Sequence, residues 1–291
     1  MPQTRRHRPL ADPRRPAGRH RWESSTAGWP SSRAQRGSGR AHALRMAEEG
    51  ADIIGVDICR QLETVVYPMA TSADLAATAE QVQALGRRIA TYEVDVREVG
   101  ALQEAFDAGA ADLGPVGIVV ANAGIGPAGA SAPDKEWEEV IGVNLTGVWN
   151  TGRVAIPSMI EHGEGGSIIL NSSTGGLTGA PSNVAGMVGY TAAKHGVIGL
   201  MRTWANYLAP HHIRVNSLAP TTVRTPMAND GDTSLIGRYA PELVNSLTNA
   251  IPVDAIDAID VAHAAAWLAS DEARYITGTV IPVDACNVNR R

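Results

Sequence analysis

Short apolar runs recur along this chain at intervals that leave room for one helix between them, and this alternation limits the fold more than any other feature. The runs are Ala51–Ile58 (ADIIGVDI), Tyr92–Val96 (YEVDV), Gly117–Gly124 (GIVVANAG), Ser167–Ser173 (SIILNSS), Ile213–Pro220 (IRVNSLAP) and Thr279–Ala285 (TVIPVDA). Helical periodicity fits the intervening stretches 41–49, 73–87, 99–112, 134–161, 189–208 and 258–269. A strand that passes through a helix into the next strand makes a βαβ unit, and a series of them makes a parallel sheet. Runs as apolar as GIVVANAG suit strands covered on both faces. The expectation is one α/β domain over residues 37–291 with a doubly wound parallel sheet, which suits a chain of 291 residues.

None of these runs approaches the roughly 18–20 apolar residues of a membrane span, and no charged start leads into an apolar leader. Cys59 and Cys286 lack the spacing of a metal or redox pair. A reducing cytoplasm fits that usage, and neither a membrane nor a metal is expected. Charge is divided unevenly. Residues 1–45 hold eleven Arg against Asp12 and Glu23, whereas the remainder holds fourteen basic and twenty-eight acidic residues.

The chemistry concentrates in Tyr190-Thr-Ala-Ala-Lys194. On a helix, residues four apart share a face. A Tyr hydroxyl has an ordinary pKa near 10, and a neighbouring ammonium favours the phenolate. Lys194 therefore stands where it could tune Tyr190 as a general acid–base. A YxxxK pair alone is more often an ordinary surface pair, and the same helix offers a core stripe of Val197, Leu200, Met201, Trp204 and Leu208. Other residues lend it company. Ser172 and Ser173 end an apolar run, and the carboxyl ends of parallel strands border the ligand crevice of an open α/β sheet. The plain alternative is a Ser-rich turn. Asn144 falls inside a helical stretch, where Asn is a mediocre choice without a task. Asn122-Ala123-Gly124 closes the preceding run and could border a cofactor.

Taken in order, Asp57, Asp95-Val96, Asn122-Ala-Gly, Asn144, Ser173, Tyr190, Lys194, the stretch Pro220-Thr-Thr-Val-Arg-Thr-Pro-Met227, and Tyr275-Ile-Thr-Gly278 with Val283-Asp284 resemble the short-chain dehydrogenase/reductase family over about residues 37–291. The resemblance implies a Rossmann-type fold and reversible hydride transfer between a secondary alcohol and a nicotinamide. It implies that Tyr190 exchanges the proton of the substrate oxygen. It further implies that Lys194 lowers the Tyr190 pKa and holds the nicotinamide ribose, that Ser173 orients the carbonyl, and that Asn144 supports a water in the proton relay. Ser172 is the rival of Ser173. The cofactor contacts implied are Gly37, Gly39, Asp57, Asp95, Val96, Asn122, Ala123, Gly124, Tyr190, Lys194, Pro220, Val223 and Thr225. The family commonly forms homodimers or homotetramers.

The insertion Cys59-Arg-Gln-Leu-Glu-Thr-Val-Val-Tyr-Pro-Met-Ala-Thr71, together with His195 and Ala219-Pro-Thr221, resembles the carveol dehydrogenase-like branch. That branch implies a tightly held NAD, an alicyclic or terpenoid alcohol or ketone as substrate, and a redox carrier such as mycofactocin as partner. Asp57 at the end of its strand favours NAD, because a carboxylate there accepts from the ribose 2′-hydroxyl and repels a 2′-phosphate. Arg60, three residues on, argues the other way for NADP.

The front of the chain departs from the family, which opens with a strand and Thr-Gly-x-x-x-Gly-x-Gly. Here only Gly37-Ser-Gly39 remains, and Arg33 stands where the first glycine belongs. Residues 1–36 are rich in Arg, Pro and Ser and show no periodicity. Trp29-Pro-Ser-Ser-Arg-Ala-Gln35 can be encoded by a message that, read one base upstream, permits Val-Ala-Phe-Ile-Thr-Gly-Ala. A frameshift that returns to frame before Arg40 is the expectation. Its rivals are an organellar transit peptide and a basic arm for nucleic acid, and neither supplies the absent strand. The expected consequence is a sheet with its first strand missing or garbled and weak cofactor binding, with an inactive scaffold on the same fold as the alternative outcome. His211-His212 read as a surface turn, and 227–252, with Met227, Leu235, Ile236 and Tyr239, as a substrate lid.

Overall fold

A computed structural model describes residues 37–126, 132–179, 181–228 and 248–290. Residues 1–36, with Arg33 and the Trp29–Gln35 reading, lie outside the described residues, as do Leu235, Ile236 and Tyr239 of the expected lid.

Among the described residues helices and strands alternate, with α4 and α5 as the one consecutive pair of helices. The elements are α1 (Ser38–Glu48), β1 (Ile53–Asp57), α2 (Ser72–Ala84), β2 (Ile89–Glu93), α3 (Val99–Leu113), β3 (Ile118–Ala121), α4 (Pro133–Ile141), α5 (Gly147–His162), β4 (Gly166–Asn171), α6 (Ala185–Leu208), β5 (Ile213–Pro220), α7 (Ala258–Ala269) and β6 (Val280–Val283). All strand pairs are parallel. The α/β doubly wound expectation is met.

Alternation along the strands sorts side chains to the two faces. Ile168 and Leu170 of β4 join Val197, Met201 and Leu208 of α6 in one core. Ile169, between them, joins Met46 of α1 and Val261, Ala265 and Leu268 of α7 in the other. A period of two along the strand is what divides neighbours between the layers. The stripe read on α6 is this core, with Leu200 and Trp204 partly buried against it.

Three boundaries differ from the sequence reading. The strand expected at Tyr92–Val96 runs from Ile89 to Glu93. Asp52, at the entry to β1, accepts from Arg88 N at 3.0 Å and Arg88 Nε at 2.9 Å, which sets the register Ile53↔Ile89. Beyond the strand, Asp95 Oδ1 accepts from Arg97 N at 3.0 Å and turns the chain. The long helix expected at 134–161 is interrupted by a π turn at Gly142–Thr146 that contains Asn144. The stretch expected to become helical at 189 does so four residues earlier.

Among the described residues the six strands form two sheets, β1-β2 and β3-β4-β5-β6. β1 and β3 flank the place expected of the first strand, which falls outside the described residues. Both β1 and β3 line one cavity of about 960 Å³, together with the first two turns of α1. The carboxyl ends of β3, β4 and β5 open onto the same cavity.

Candidate active site

Three elements deliver the four chemical groups. Tyr190 and Lys194 lie one turn apart on α6. Ser173 follows β4 and caps the short turn Thr174–Gly176, accepting from Gly175 N at 3.1 Å. Asn144 comes from the π turn between α4 and α5. Such a turn takes the backbone out of the ordinary hydrogen-bond register and is frequent at functional sites.

Tyr190 keeps part of its ring open to the cavity, and its hydroxyl lies deep. Burial raises that hydroxyl above the ordinary tyrosine range, and a hydrogen bond with Ser173 pulls the other way. Lys194 Nζ stands 5.6 Å from the centre of the Tyr190 ring and donates to Asn171 O at 2.8 Å. Burial lowers the Lys194 pKa to about 8. The sequence reading made the ammonium the group that lowers the Tyr190 pKa. In this arrangement the Ser173 hydrogen bond is a lowering influence on Tyr190, and the Lys194 ammonium lies over the same ring.

The two serines point in different directions. Ser172 Oγ is buried and donates to Lys194 O at 2.9 Å, so it braces the helix. Ser173 is the hydroxyl at Tyr190. Asn144 is fully buried and binds Ile125 twice, accepting from its N–H and donating to its carbonyl, each at 2.8 Å. It therefore sits behind the cavity wall rather than on it, and its side chain fixes the turn after β3.

The remaining residues read as cofactor contacts (Gly37, Gly39, Asp57, Asp95, Val96, Asn122, Ala123, Gly124, Pro220, Val223 and Thr225) all line the one cavity. Several details suit a dinucleotide there. Gly37 has φ +61° at the start of α1, and a Cβ on Gly39 would stand 3.2 Å from Asn122 Nδ2. A backbone stripped of side chains at a helix N-terminus suits a pyrophosphate. Asp57 ends β1, and its Oδ1 accepts from Cys59 N at 2.9 Å. Arg60 reaches Asp95 at 3.4 Å and is mostly exposed. Arg40 is held by Thr78 Oγ1 at 2.9 Å and Asp74 O at 2.7 Å. Asp95 is clasped by Arg97, with Nη2 to Oδ2 at 2.6 Å.

Two residues of the site escaped the sequence reading. Tyr67, in the insertion after β1, is buried and its Oη accepts from Gly126 N at 2.8 Å. His42 on α1 is 4% exposed, and among the described residues neither ring nitrogen has a hydrogen-bond partner. Burial lowers its pKa to about 4. Neither has a local signal, since each acquires its place from residues distant in sequence.

The His211-His212 turn is present, with His212 at φ +58°. No helix among the described residues is long and apolar enough to cross a membrane.

Comparison with known proteins gives concordant matches. A family model described as Enoyl-(Acyl carrier protein) reductase matches residues 33–285. An oxidoreductase of Mycobacterium tuberculosis is 52% identical over 259 residues, covering 89% of this chain and 94% of that protein. The (-)-trans-carveol dehydrogenase of Rhodococcus erythropolis is 44% identical over 265 residues, covering 87% of this chain and 94% of the relative. The crystal structure of carveol dehydrogenase from Mycobacterium avium in complex with NAD aligns with a TM-score of 0.81 at 44% identity, covering 88% of this chain and 95% of that one.

Proposed function

Because the chain belongs to the short-chain dehydrogenase/reductase family, we propose that it is an NAD-dependent oxidoreductase that interconverts a secondary alcohol, alicyclic or terpenoid, and its ketone. The observation that carries this reading is the placement of Ser173 and Tyr190 together, one helical turn from Lys194, at the carboxyl ends of β4 and β5. The carveol dehydrogenases among its relatives supply the substrate class.

NAD, when bound, supplies the hydride acceptor at its nicotinamide ring. The residues suited to hold it are Gly37 and Gly39 at its phosphates, Asp57 at its ribose, and Asn122–Gly124 and Lys194 nearer the reacting end. Asp57 accounts for NAD over NADP, since Arg60 and Arg40 are engaged elsewhere. At the reacting carbon, Tyr190 takes the proton of the alcohol hydroxyl as the bond to hydrogen breaks, and returns it in the reverse direction. Ser173 holds the same oxygen by a hydrogen bond. Asn144 fixes the turn that shapes the cavity wall. A homodimer or homotetramer in the cytoplasm, with a redox carrier such as mycofactocin to reoxidise a retained cofactor, completes the reading.

Arg33, standing where the family's first glycine belongs, favours a second reading, in which the chain is impaired and a frameshift lies in residues 29–35. One experiment separates the two. The purified chain is denatured and the released small molecules are weighed by mass spectrometry. NAD in the released fraction supports the enzyme with a retained cofactor. Its absence, beside NAD from a version carrying Val-Ala-Phe-Ile-Thr-Gly-Ala at 29–35, supports the impaired copy.

A further inference from the structure

We propose that Tyr67 is a specificity-determining residue of the alcohol subsite, a wall that the insertion after β1 lowers into the cavity. The inference rests on the oxidoreductase reading above.

The insertion is a built strap without helix or strand. Gln61 stitches it together, donating to Val65 O at 2.6 Å and Tyr67 O at 3.2 Å and accepting from Met69 N at 3.1 Å. Thr64 hydrogen-bonds Glu139, and Leu62 and Val65 pack with Val140 and Val143. With both ends joined to α2 and β1 and its middle pinned to α4, the strap has one place to put its aromatic residue. Tyr67 enters the cavity and is 8% exposed.

Its surroundings identify the part of the cavity. Tyr67 belongs to the same packed cluster as Ile125 and Tyr190. A Cβ on Gly126 would lie 2.9 Å from Met227 Cγ and 3.7 Å from Tyr67 Cε1, so Tyr67 and Met227 both stand over Gly126. Met187, three residues before Tyr190 on α6, lines the same space. The reacting oxygen must sit at Tyr190 and Ser173, so the body of the alcohol extends among Tyr67, Ile125, Met187 and Met227. None of these carries a charge. A compact, uncharged ring fits such a wall, and thioether side chains adapt to its outline. Tyr67 is the rigid member of the set, because the Gly126 amide holds its hydroxyl and fixes the ring. That amide adjoins Ile125, the residue Asn144 grips, so the wall and the catalytic turn share one anchor.

Removing the ring enlarges the subsite, while removing only the hydroxyl keeps its size. The full chain, Tyr67→Ala and Tyr67→Phe are compared with NAD for cyclohexanol and 4-tert-butylcyclohexanol. Turnover and ligand-induced shifts in melting temperature are measured for each. Tyr67→Ala is expected to raise the preference for the bulkier alcohol, as a kcat/KM ratio and as an affinity ratio, at least about fivefold. Tyr67→Phe is expected to keep the ratio within about twofold. An unchanged ratio in Tyr67→Ala, or no binding of either alcohol to the full chain, overturns the inference. Binding that discriminates by ring size without any turnover sustains the wall and counts against the oxidoreductase reading instead.

Discussion

Asn144 and Ile125 are joined twice, amide to backbone N–H and amide to backbone carbonyl, at 2.8 Å each. A single side chain thereby satisfies both backbone groups of the turn after β3. Asn144→Leu leaves both backbone groups of Ile125 buried without partners. At about 1–3 kcal/mol for each unsatisfied group, the loss of folding stability is expected to be roughly 2–5 kcal/mol, read by urea denaturation. A loss under 0.5 kcal/mol on that scale would falsify the bracing role.

Ser173 and Tyr190 predict a pH effect. Burial raises the Tyr190 hydroxyl, and the Ser173 hydrogen bond offsets part of that rise. Alcohol oxidation needs the deprotonated hydroxyl. Ser173→Ala removes the lowering influence, so the acid limb of the oxidation profile, where activity rises with pH, moves to higher pH. The kcat/KM profile from pH 7 to 10.5 measures it. A limb that stays in place, or moves to lower pH, contradicts the assignment of Ser173.

His42 predicts a stability effect. Its folded pKa is held down to about 4 from an ordinary 6.5. The unfolded chain takes up the proton as pH falls below 6.5, while the folded chain resists until about 4. Stability is therefore lost as pH falls through that window, by up to about 3 kcal/mol at 1.36 kcal/mol per unit. His42→Leu is expected to flatten the loss. It should also stabilise at pH 7.5 by about 1 kcal/mol or more, because two unpartnered buried nitrogens disappear. Denaturation midpoints at pH 4.5, 5.5 and 7.5 decide the matter, and parallel curves for the two proteins would refute the proposal.

Replacement of residues 29–35 by Val-Ala-Phe-Ile-Thr-Gly-Ala predicts a joined sheet. A strand that pairs with β1 on one side and β3 on the other adds on the order of ten backbone hydrogen bonds, each worth about 1 kcal/mol net. At 2–4 °C per kcal/mol for a domain of this size, the melting temperature is expected to rise on the order of 10 °C or more. Amide exchange at Ile53–Asp57 and Ile118–Ala121 should slow at the same time. Unaltered exchange at both strands would show that the replacement does not enter between them.

The sequence by itself determined the layered fold, because a strand of period two and a helix of period 3.6 are local patterns that any window of the chain displays. It also placed Tyr190 and Lys194 on one face, because their four-residue spacing is a property of one helix. Asp57 and Asn122–Gly124 were legible as strand ends for the same reason. The limits of β2 were not, since Asp52 and Arg88 set its register from 36 residues apart. Nor was the π turn at Asn144, whose side chain bonds the backbone of Ile125 from 19 residues away. The choice of Ser173 over Ser172 turned on which face of the strand end meets α6, and adjacent serines carry no such information. Tyr67 and His42 stayed silent in the sequence because burial is a sum over neighbours. Only the packed chain brings the strap to Gly126, or encloses an imidazole with nothing to bind.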